Sequence, residues 1–287
     1  MEIRPGITLA NLSDVGLVRE NNEDYYCYAE PEGEEEYSKR GRLAIIADGM
    51  GGYEGGQIAS HMAVDIVRET YLKDPDTDPL DALLEGFRIA HHSILSRARE
   101  DDLLEGMGTT CTAAAILGTN LMYAHVGDSR LYLLRGPNIF QITRDHSYVN
   151  KMVEAGMLTP EEAQNHPQKN VLMMALGASK EIRADCPAEP VPLQPGDTLL
   201  MCTDGLSGLV SDAEFQEAVN GKPLEQACKD LIELAKSRGG HDNITVQLLR
   251  VASDNLRKTL IETPASESAP AESGSAGASE AAKDSEQ

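Results

Sequence analysis

The chain has 287 residues, of which 41% are hydrophobic and 25% are charged, proportions typical of a soluble globular protein with a sizeable core. Its formal charge of -22 argues against binding nucleic acid or an anionic membrane surface, which both require a basic face, and favours cationic partners such as metal ions. The five cysteines are widely spaced and show neither a disulfide framework nor a zinc-binding pattern. We therefore expect reduced cysteines and a cytoplasmic protein.

No targeting or membrane segment is predicted. The N-terminal residues lack the basic segment and long apolar core of a secretory signal. The long uncharged run from Gly106 to Gly127 contains several threonines and a Gly118-Thr119-Asn120 break. This pattern predicts two strands joined by a turn, so we expect no membrane span.

Strand and helix patterns come in groups along the chain. Apolar runs predict strands over Ile7 to Leu12, Asp24 to Ala29, Arg42 to Ala47, Thr110 to Leu117, Leu121 to Val126, Leu131 to Leu134, Asp197 to Cys202 and Asn243 to Val251. Helical spacing predicts helices over Gly55 to Leu72 and Leu224 to Lys236, and a less regular one over Asp81 to Arg99. The acidic segment Glu30 to Gly41 is predicted to be a loop. Consecutive strands favour an α+β fold over a doubly wound parallel sheet.

The C-terminal segment has a different composition. From Pro264 to Gln287 the chain contains no Val, Ile, Leu, Phe or Tyr, so it cannot bury enough apolar surface to offset its ordering entropy. We expect one folded domain over residues 1–251 and a disordered acidic tail over residues 252–287.

Acidic residues recur at the ends of the apolar strands. The positions are Glu23-Asp24, Asp48-Gly49, Gly127-Asp128, Asp204-Gly205 and Asp242. Any one of them is most simply a turn or a cap. Taken together, clustered carboxylates repel one another unless a cation neutralises them, and hard divalent ions such as Mg²⁺ or Mn²⁺ prefer oxygen ligands. Glycine after Asp48 would let the backbone approach such an ion closely.

Seven short motifs carry a family resemblance. In chain order they are R-x-x-N-E-D (Arg19 to Asp24), A-D-G-M-G-G (Ala47 to Gly52), M-G-T-T (Met107 to Thr110), G-D-S-R (Gly127 to Arg130), T-R-D-H-S (Thr143 to Ser147), T-D-G-L (Thr203 to Leu206) and H-D-N-I-T (His241 to Thr245). The ordered set resembles the metal-dependent type 2C (PPM) Ser/Thr protein phosphatases in their bacterial form. The segment from Gly156 to Gly177 also resembles the flap of the bacterial enzymes. The resemblance covers roughly residues 6 to 251.

The resemblance implies a fold and an activity. The fold would be two stacked antiparallel sheets flanked by helices, with a flap over about residues 147–178. The activity would be hydrolysis of phosphoserine and phosphothreonine in proteins, by a hydroxide that bridges two Mn²⁺ or Mg²⁺ ions. Phosphorylated proteins would be the substrates, a bacterial Ser/Thr kinase the opposing enzyme, and the protein is expected to be a monomer.

The resemblance also implies a set of metal ligands. Asp48 would bridge the two ions, the Gly49 carbonyl would complete one of them, and Asp204 and Asp242 would complete the other. Asp128 would bind a third ion together with Asp204.

Two further residues would act on water and phosphate. Asp24 would orient metal-bound water, and Arg19 would hold the phosphate through its planar guanidinium. The alternative for Arg19 is a surface salt bridge with Glu20 or Glu23. Many eukaryotic members have His directly after the Asp-Gly pair, where it can protonate the leaving alkoxide. This chain has Met50 there, so water or another group must supply that proton.

Two other classes of function compete with the phosphatase. A degenerate relative that binds phosphoproteins without hydrolysis should have lost metal ligands, whereas Asp48, Asp204 and Asp242 are all present. A two-metal nuclease is compatible with the carboxylates, but the acidic composition disfavours it because a nuclease needs a basic track for its substrate.

Overall fold

The computed structural model describes residues 3–51 and 54–252, so Gly52, Tyr53 and the predicted tail beyond Ala252 lie outside the described residues. In the described ranges the strands are β1 (Ile7–Asp14), β2 (Asp24–Ala29), β3 (Arg42–Met50), β4 (Gly108–Thr109), β5 (Cys111–Leu117), β6 (Asn120–Val126), β7 (Arg130–Arg135), β8 (Asn138–Gln141), β9 (Val191–Pro192), β10 (Thr198–Cys202) and β11 (Ile244–Val251). The helices are α1 (Glu34–Arg40), α2 (Gly55–Lys73), α3 (Pro79–Glu100), α4 (Tyr148–Glu154), α5 (Pro160–Gln164), α6 (Asp204–Ser207), α7 (Asp212–Val219) and α8 (Leu224–Ser237), with a 3₁₀ turn at Asp102–Leu104.

The strands form two antiparallel sheets. One sheet has the order β1-β11-β10-β7-β8, and the other has the order β2-β3-β5-β6-β9, with β4 paired to the end of β3. Side chains of both sheets, such as Ile46 and Leu249, meet in one buried cluster, so the sheets are stacked face to face. The predicted α+β sandwich is confirmed.

Alternation along the strands builds the layers on either side. Ile45 of β3 packs with α2 and α3, whereas its neighbour Ile46 faces the other sheet. In the same way Leu248 of β11 packs with α7 and α8, and Leu249 faces inward. Because successive strand residues point to opposite faces, strands that are buried on both sides read as continuous apolar runs.

The predicted elements are present with small shifts at their ends, but one prediction is wrong. The segment Glu30 to Gly41 was expected to be a loop, and it contains the helix α1. Three glutamates occupy the first turn of α1 and Lys39 and Arg40 occupy the last, an order that favours helix formation because it matches the helix dipole. Arg40 is fully buried, and its guanidinium lies 5.1 Å from the centre of the Tyr71 ring. The tertiary contact therefore adds to the favourable charge order.

The segment after β8 leaves the body of the molecule and carries α4 and α5. It begins beside the point where it returns, because Ser147 forms an isolated bridge with Leu172. A second bridge joins Leu176 to Thr109. These residues fall within the predicted flap, and we use that name for residues 147–178.

Two expectations about cysteines and membranes can be compared with the structure. All five cysteines are free, and Cys111, Cys202 and Cys228 are buried while Cys186 is exposed. Among the helices of the described ranges, none has the length and apolar character needed to cross a bilayer.

Candidate metal centre and active site

The fold gathers the acidic strand ends around one cavity. In the β2–β3 ladder Asp24 lies opposite Asp48, so the start of β2 and the end of β3 share one edge of the sheet. A cavity of about 760 Å³ opens there. Its lining includes ten residues of the quoted motifs, namely Arg19, Glu23, Asp48, Gly49, Met50, Gly51, Thr110, Asp128, Asp204 and Asp242. The structure therefore brings together every predicted site residue except Asp24, which lies behind this lining.

Asp48 is held by its backbone. Its N–H donates to Thr110 Oγ1 at 2.9 Å, and its carbonyl accepts from the Thr110 N–H and from Thr109 Oγ1, both at 2.9 Å. Thr110 Oγ1 also lies 2.7 Å from Ser129 Oγ, next to Asp128. The M-G-T-T motif thus fixes two of the acidic positions relative to each other.

Two glycines allow the close packing of the site. A Cβ on Gly49 would lie 2.1 Å from the Gly56 carbonyl oxygen and 2.6 Å from the Glu23 carbonyl oxygen. A Cβ on Gly205 would lie 2.0 Å from the Asn243 carbonyl oxygen. All three distances are far below van der Waals contact distance, so the residue that follows Asp48 and the residue that follows Asp204 must be glycine.

The loop between β1 and β2 brings Arg19 to the cavity. Asn243 holds this loop, because its Nδ2 donates to the carbonyls of Val15 and Asn21 and its Oδ1 accepts from the Glu23 N–H at 2.8 Å. Arg19 Nη2 lies 2.9 Å from Asp242 Oδ2, with both side chains partly exposed. The predicted alternative, a salt bridge of Arg19 with Glu20 or Glu23, is not the pairing observed.

The cavity carries a large excess of negative charge. Burial, followed by the neighbouring carboxylates, raises the pKa of Asp48 and Asp128 well above the usual range, and burial with the charge of Asp242 raises that of Asp204. The nearby Asp48 carboxyl acts in the opposite direction and lowers the pKa of Asp204. Of the described residues in the lining, only Arg19 and Lys180 are cationic. The negative charge of the carboxylates is therefore not neutralised by the cationic side chains that line the cavity.

Asp24 lies between the two sheets rather than on the cavity wall. It is 5% exposed, and its Oδ2 accepts from Thr203 Oγ1 at 2.9 Å and from Thr245 Oγ1 at 2.6 Å. Its Oδ1 is buried and has no hydrogen-bond partner among the described residues. Burial raises the pKa of Asp24 to about 7, partly offset by the two threonine hydrogen bonds.

Glu23 is the acidic residue of this pair that faces the cavity, and the sequence-based choice of Asp24 missed it. Its carboxylate lies against Gly56 in the first turn of α2, where a Cβ on the glycine would come within 2.7 Å of Glu23 Cδ. Burial raises the pKa of Glu23 even though Arg19 is near. The only signal in the sequence was that Glu23 and Asp24 are adjacent acids.

Residues of the flap and of the segment just after it complete the cavity, and none of them is in the predicted set of site residues. Leu172, Met173 and Met174 of the flap line the cavity, and so does Lys180 just beyond it. No histidine of the described residues lines this cavity. His241 instead lines a neighbouring groove of about 1120 Å³ between the flap and the α6–α7 segment. With Met50 in the lining, the proton for a leaving group must come from water or from a non-histidine side chain.

The chemistry of the donor set fits a divalent cation. As placed, no three His, Cys, Asp or Glu side chains in residues 3–51 and 54–252 enclose a point tightly enough to hold an ion. The Asp242 carboxylate is directed at Arg19, with Oδ2 2.9 Å from Nη2. Positive charge would stabilise the partnerless Asp24 Oδ1 and the mutually repelling buried acids, and hard oxygen donors are what Mg²⁺ and Mn²⁺ prefer.

Comparison with known proteins defines the class. The family model described as protein phosphatase 2C matches residues 34–250. The protein phosphatase PhpP of Streptococcus pneumoniae is 39% identical over 251 residues, which cover 85% of this chain and 97% of that protein. The chain belongs to the protein phosphatase 2C family and is a metal-dependent Ser/Thr protein phosphatase.

Two solved structures agree in fold. A serine/threonine phosphatase of S. agalactiae superimposes with a TM-score of 0.78 at 37% identity, covering 85% of this chain and 99% of that one. The catalytic domain of PstP, a phosphatase name used in Mycobacterium tuberculosis, gives a TM-score of 0.74 at 36% identity, covering 86% and 99%. That PstP structure is a complex with two manganese ions.

Proposed function

We propose that the carboxylate cavity is the place where this phosphatase hydrolyses phosphoserine and phosphothreonine in proteins. The observation that carries the proposal is the convergence of Asp48, Asp128, Asp204 and Asp242 in a cavity with too few cations of its own. Phosphate monoesters are dianions, and such a cavity repels them unless metal ions reverse its charge.

The proposal gives each acidic residue of the cavity one role. Asp48 would be shared by two Mn²⁺ or Mg²⁺ ions, with the Gly49 carbonyl on one ion and Asp204 and Asp242 on the other. Asp128 and Asp204 would hold a third ion. When bound, such ions lower the pKa of a water that attacks phosphorus and neutralise the phosphoryl oxygens.

The remaining roles belong to the chain's own side chains. Arg19 would turn from Asp242 to two phosphate oxygens, since a guanidinium fork matches that geometry. Asp24, fixed by Thr203 and Thr245, would keep one oxygen directed at the metal-bound water. The rigid placement of these groups by strand ends limits the reorganisation needed during reaction.

The cellular setting is inferred more broadly. The protein would oppose a bacterial Ser/Thr protein kinase, as a monomer in the cytoplasm. The names of its relatives as Ser/Thr phosphatases support phosphoprotein substrates, and five free cysteines support a reducing compartment.

The test is hydrolysis of a phosphothreonine peptide with Mn²⁺, with chelator, and with chelator followed by excess Mn²⁺. We expect release of phosphate only when metal is present. Binding of the peptide without hydrolysis would support the degenerate binding module. Cleavage of DNA in place of the peptide would support the nuclease.

A further inference from the structure

The flap returns to the body of the molecule at three consecutive buried residues, Ala175 to Gly177, while Met173 and Ala178 on either side are exposed. Residues 172–181, which we call the return segment, supply one wall of the site cavity. Whatever holds its buried residues therefore sets the distance between that wall and the carboxylates.

The return segment is first attached to the body by a backbone bridge to the strand next to Asp48. The Leu176 N–H donates to the Thr109 carbonyl at 2.9 Å, and the Thr109 N–H donates to the Leu176 carbonyl at 3.0 Å. Thr109 Oγ1 in turn donates to the Asp48 carbonyl at 2.9 Å. Only one residue thus separates the return segment from the backbone of Asp48.

The return segment is attached a second time by a hydrogen bond to the helix α3. The Gly177 N–H donates to Nδ1 of His91 at 3.1 Å, and His91 is 2% exposed. Gly177 has φ +79°, and a Cβ there would lie 2.1 Å from Cγ2 of Ile94, three residues after His91 on α3. The backbone can approach the helix this closely only because the residue is glycine.

The other ring nitrogen of His91, Nε2, is in an unfavourable environment. Because Nδ1 accepts from Gly177, the ring proton belongs on Nε2, and Nε2 is buried with no partner in the part of the chain that the structure describes. A buried N–H without a partner costs free energy, so an apolar residue of similar shape would suit this layer better. Histidine offsets this cost by supplying the acceptor Nδ1 for the Gly177 N–H.

We propose that His91 is a positioning residue, whose Nδ1 holds the Gly177 N–H and thereby fixes the return segment as a wall of the substrate cavity. The proposal rests on the proposed function of that cavity. His91 is not among the residues that line the cavity. It acts through Gly177, Leu176 and the bridge to Thr109.

A pair of variants separates positioning from packing. His91→Asn keeps an acceptor, because Asn Oδ1 is attached at Cγ as His Nδ1 is, but it loses ring volume. His91→Leu fills more of the volume and removes the orphaned Nε2–H, but it has no acceptor. The exposed neighbour His92 supplies the control His92→Leu.

We expect His91→Leu to raise the KM for p-nitrophenyl phosphate about ten-fold, with kcat within about two-fold, because Asp48 keeps its bonds to Thr110. His91→Asn should stay within about two-fold of the wild-type KM, because the acceptor is retained, even if its melting temperature is lower. A purely structural role predicts the reverse order, with Leu nearer to the wild type. His92→Leu should match the wild type.

Hydrogen exchange supplies a readout independent of turnover. The amides of residues 172–181 should exchange faster in His91→Leu than in His91→Asn or in the wild type. Unchanged exchange in His91→Leu, or equal impairment of both His91 variants, would overturn the proposal. If the wild-type chain with Mn²⁺ failed to hydrolyse p-nitrophenyl phosphate, the proposed function would fail, and the exchange experiment would still decide the role of His91.

Discussion

The two ends of the β2–β3 ladder differ in whether their buried charges are neutralised. At the end away from the site, Glu30 follows β2 and Arg42 begins β3, and Arg42 Nε lies 3.5 Å from Glu30 Oε2 with both side chains less than 10% exposed. The contact is an ion pair without a hydrogen bond at Nε, and Glu30 also accepts from the Arg4 N–H at 2.6 Å. At the site end, Asp24 and Asp48 lie opposite each other, and no cationic side chain in residues 3–51 and 54–252 forms an ion pair with either.

The difference separates charge that supports the fold from charge that is kept for a ligand. Arg42 and Glu30 neutralise each other within the chain. Asp48 and its neighbours repel one another, which destabilises the protein until a cation binds. Uncompensated buried charge at the end of an otherwise apolar strand therefore marks the site more reliably than acidity alone.

The largest expected effect is on turnover at the site end. Asp48→Ala should lower kcat for a phosphothreonine peptide by about a hundred-fold or more, because Asp48 is the ligand proposed to place both ions. A steady-state assay with saturating Mn²⁺ measures it, and Glu85→Ala on the exposed face of α3 is the control. Activity above a tenth of wild type would contradict the assignment of Asp48.

The next effect is on stability at the opposite end. Arg42→Met should lower the free energy of unfolding by about 3–5 kcal/mol, because Glu30 stays buried and charged but loses the cation that lies beside it. Urea denaturation measures the change. The exposed pair Arg88–Glu85 offers the control Arg88→Met, which should cost less than about 1 kcal/mol.

A second substitution sharpens that test. Adding Glu30→Gln to Arg42→Met should restore part of the lost stability, since it removes the unpaired charge. If the loss of unfolding free energy in the double variant equalled the sum of the losses in the two single variants, Arg42 and Glu30 would not neutralise each other.

A smaller effect concerns pH. The pKa of Asp24 is about 7 in the fold against 3.8 for the free side chain, so the native state holds the proton more tightly. Its stabilising contribution is complete below pH 4 and is lost as the pH rises to about 7. In chelator, Asp24→Asn should therefore gain several degrees in melting temperature relative to wild type between these limits. Parallel melting curves against pH for the two proteins would refute this.

The smallest effect is expected at Asp128. Asn suits the turn between β6 and β7 as well as Asp does, but it lacks the charge that holds a hard cation. Asp128→Asn should keep two tightly bound ions, lose the weakest, and lower phosphopeptide turnover a few-fold. Calorimetric metal titration beside the peptide assay checks it. Unchanged stoichiometry together with an unchanged rate would assign Asp128 to the turn.

The sequence predicted those features that depend on local pattern. The eight longer strands and the three longer helices are present because periodic apolar residues specify them locally. The two-residue strands β4 and β9 escaped prediction, since each exists only through its partner strand. The helix α1 escaped because an acidic segment looks like a loop until Arg40 is seen to be buried.

The same limit applies to the site. Acidic strand ends could be recognised from the sequence, but neighbouring strand residues point to opposite faces, so Glu23 and Asp24 could not be told apart before the register was known. The contribution of the return segment, including Lys180, depends on how residues distant in sequence fold back onto the body. The pairing of Arg19 with Asp242 joins residues 223 positions apart and left no local signal.

The bridge between Ser147 and Leu172 has a consequence for how the protein can diversify. The segment between them leaves and re-enters the body at adjacent points, so its length can change with little effect on the free energy of folding, because closure entropy grows slowly with loop length. The carboxylates lie at strand ends, in loops and at the start of α6, all outside this segment. Insertions and deletions between Ser147 and Leu172 can therefore accumulate during evolution without moving the carboxylates.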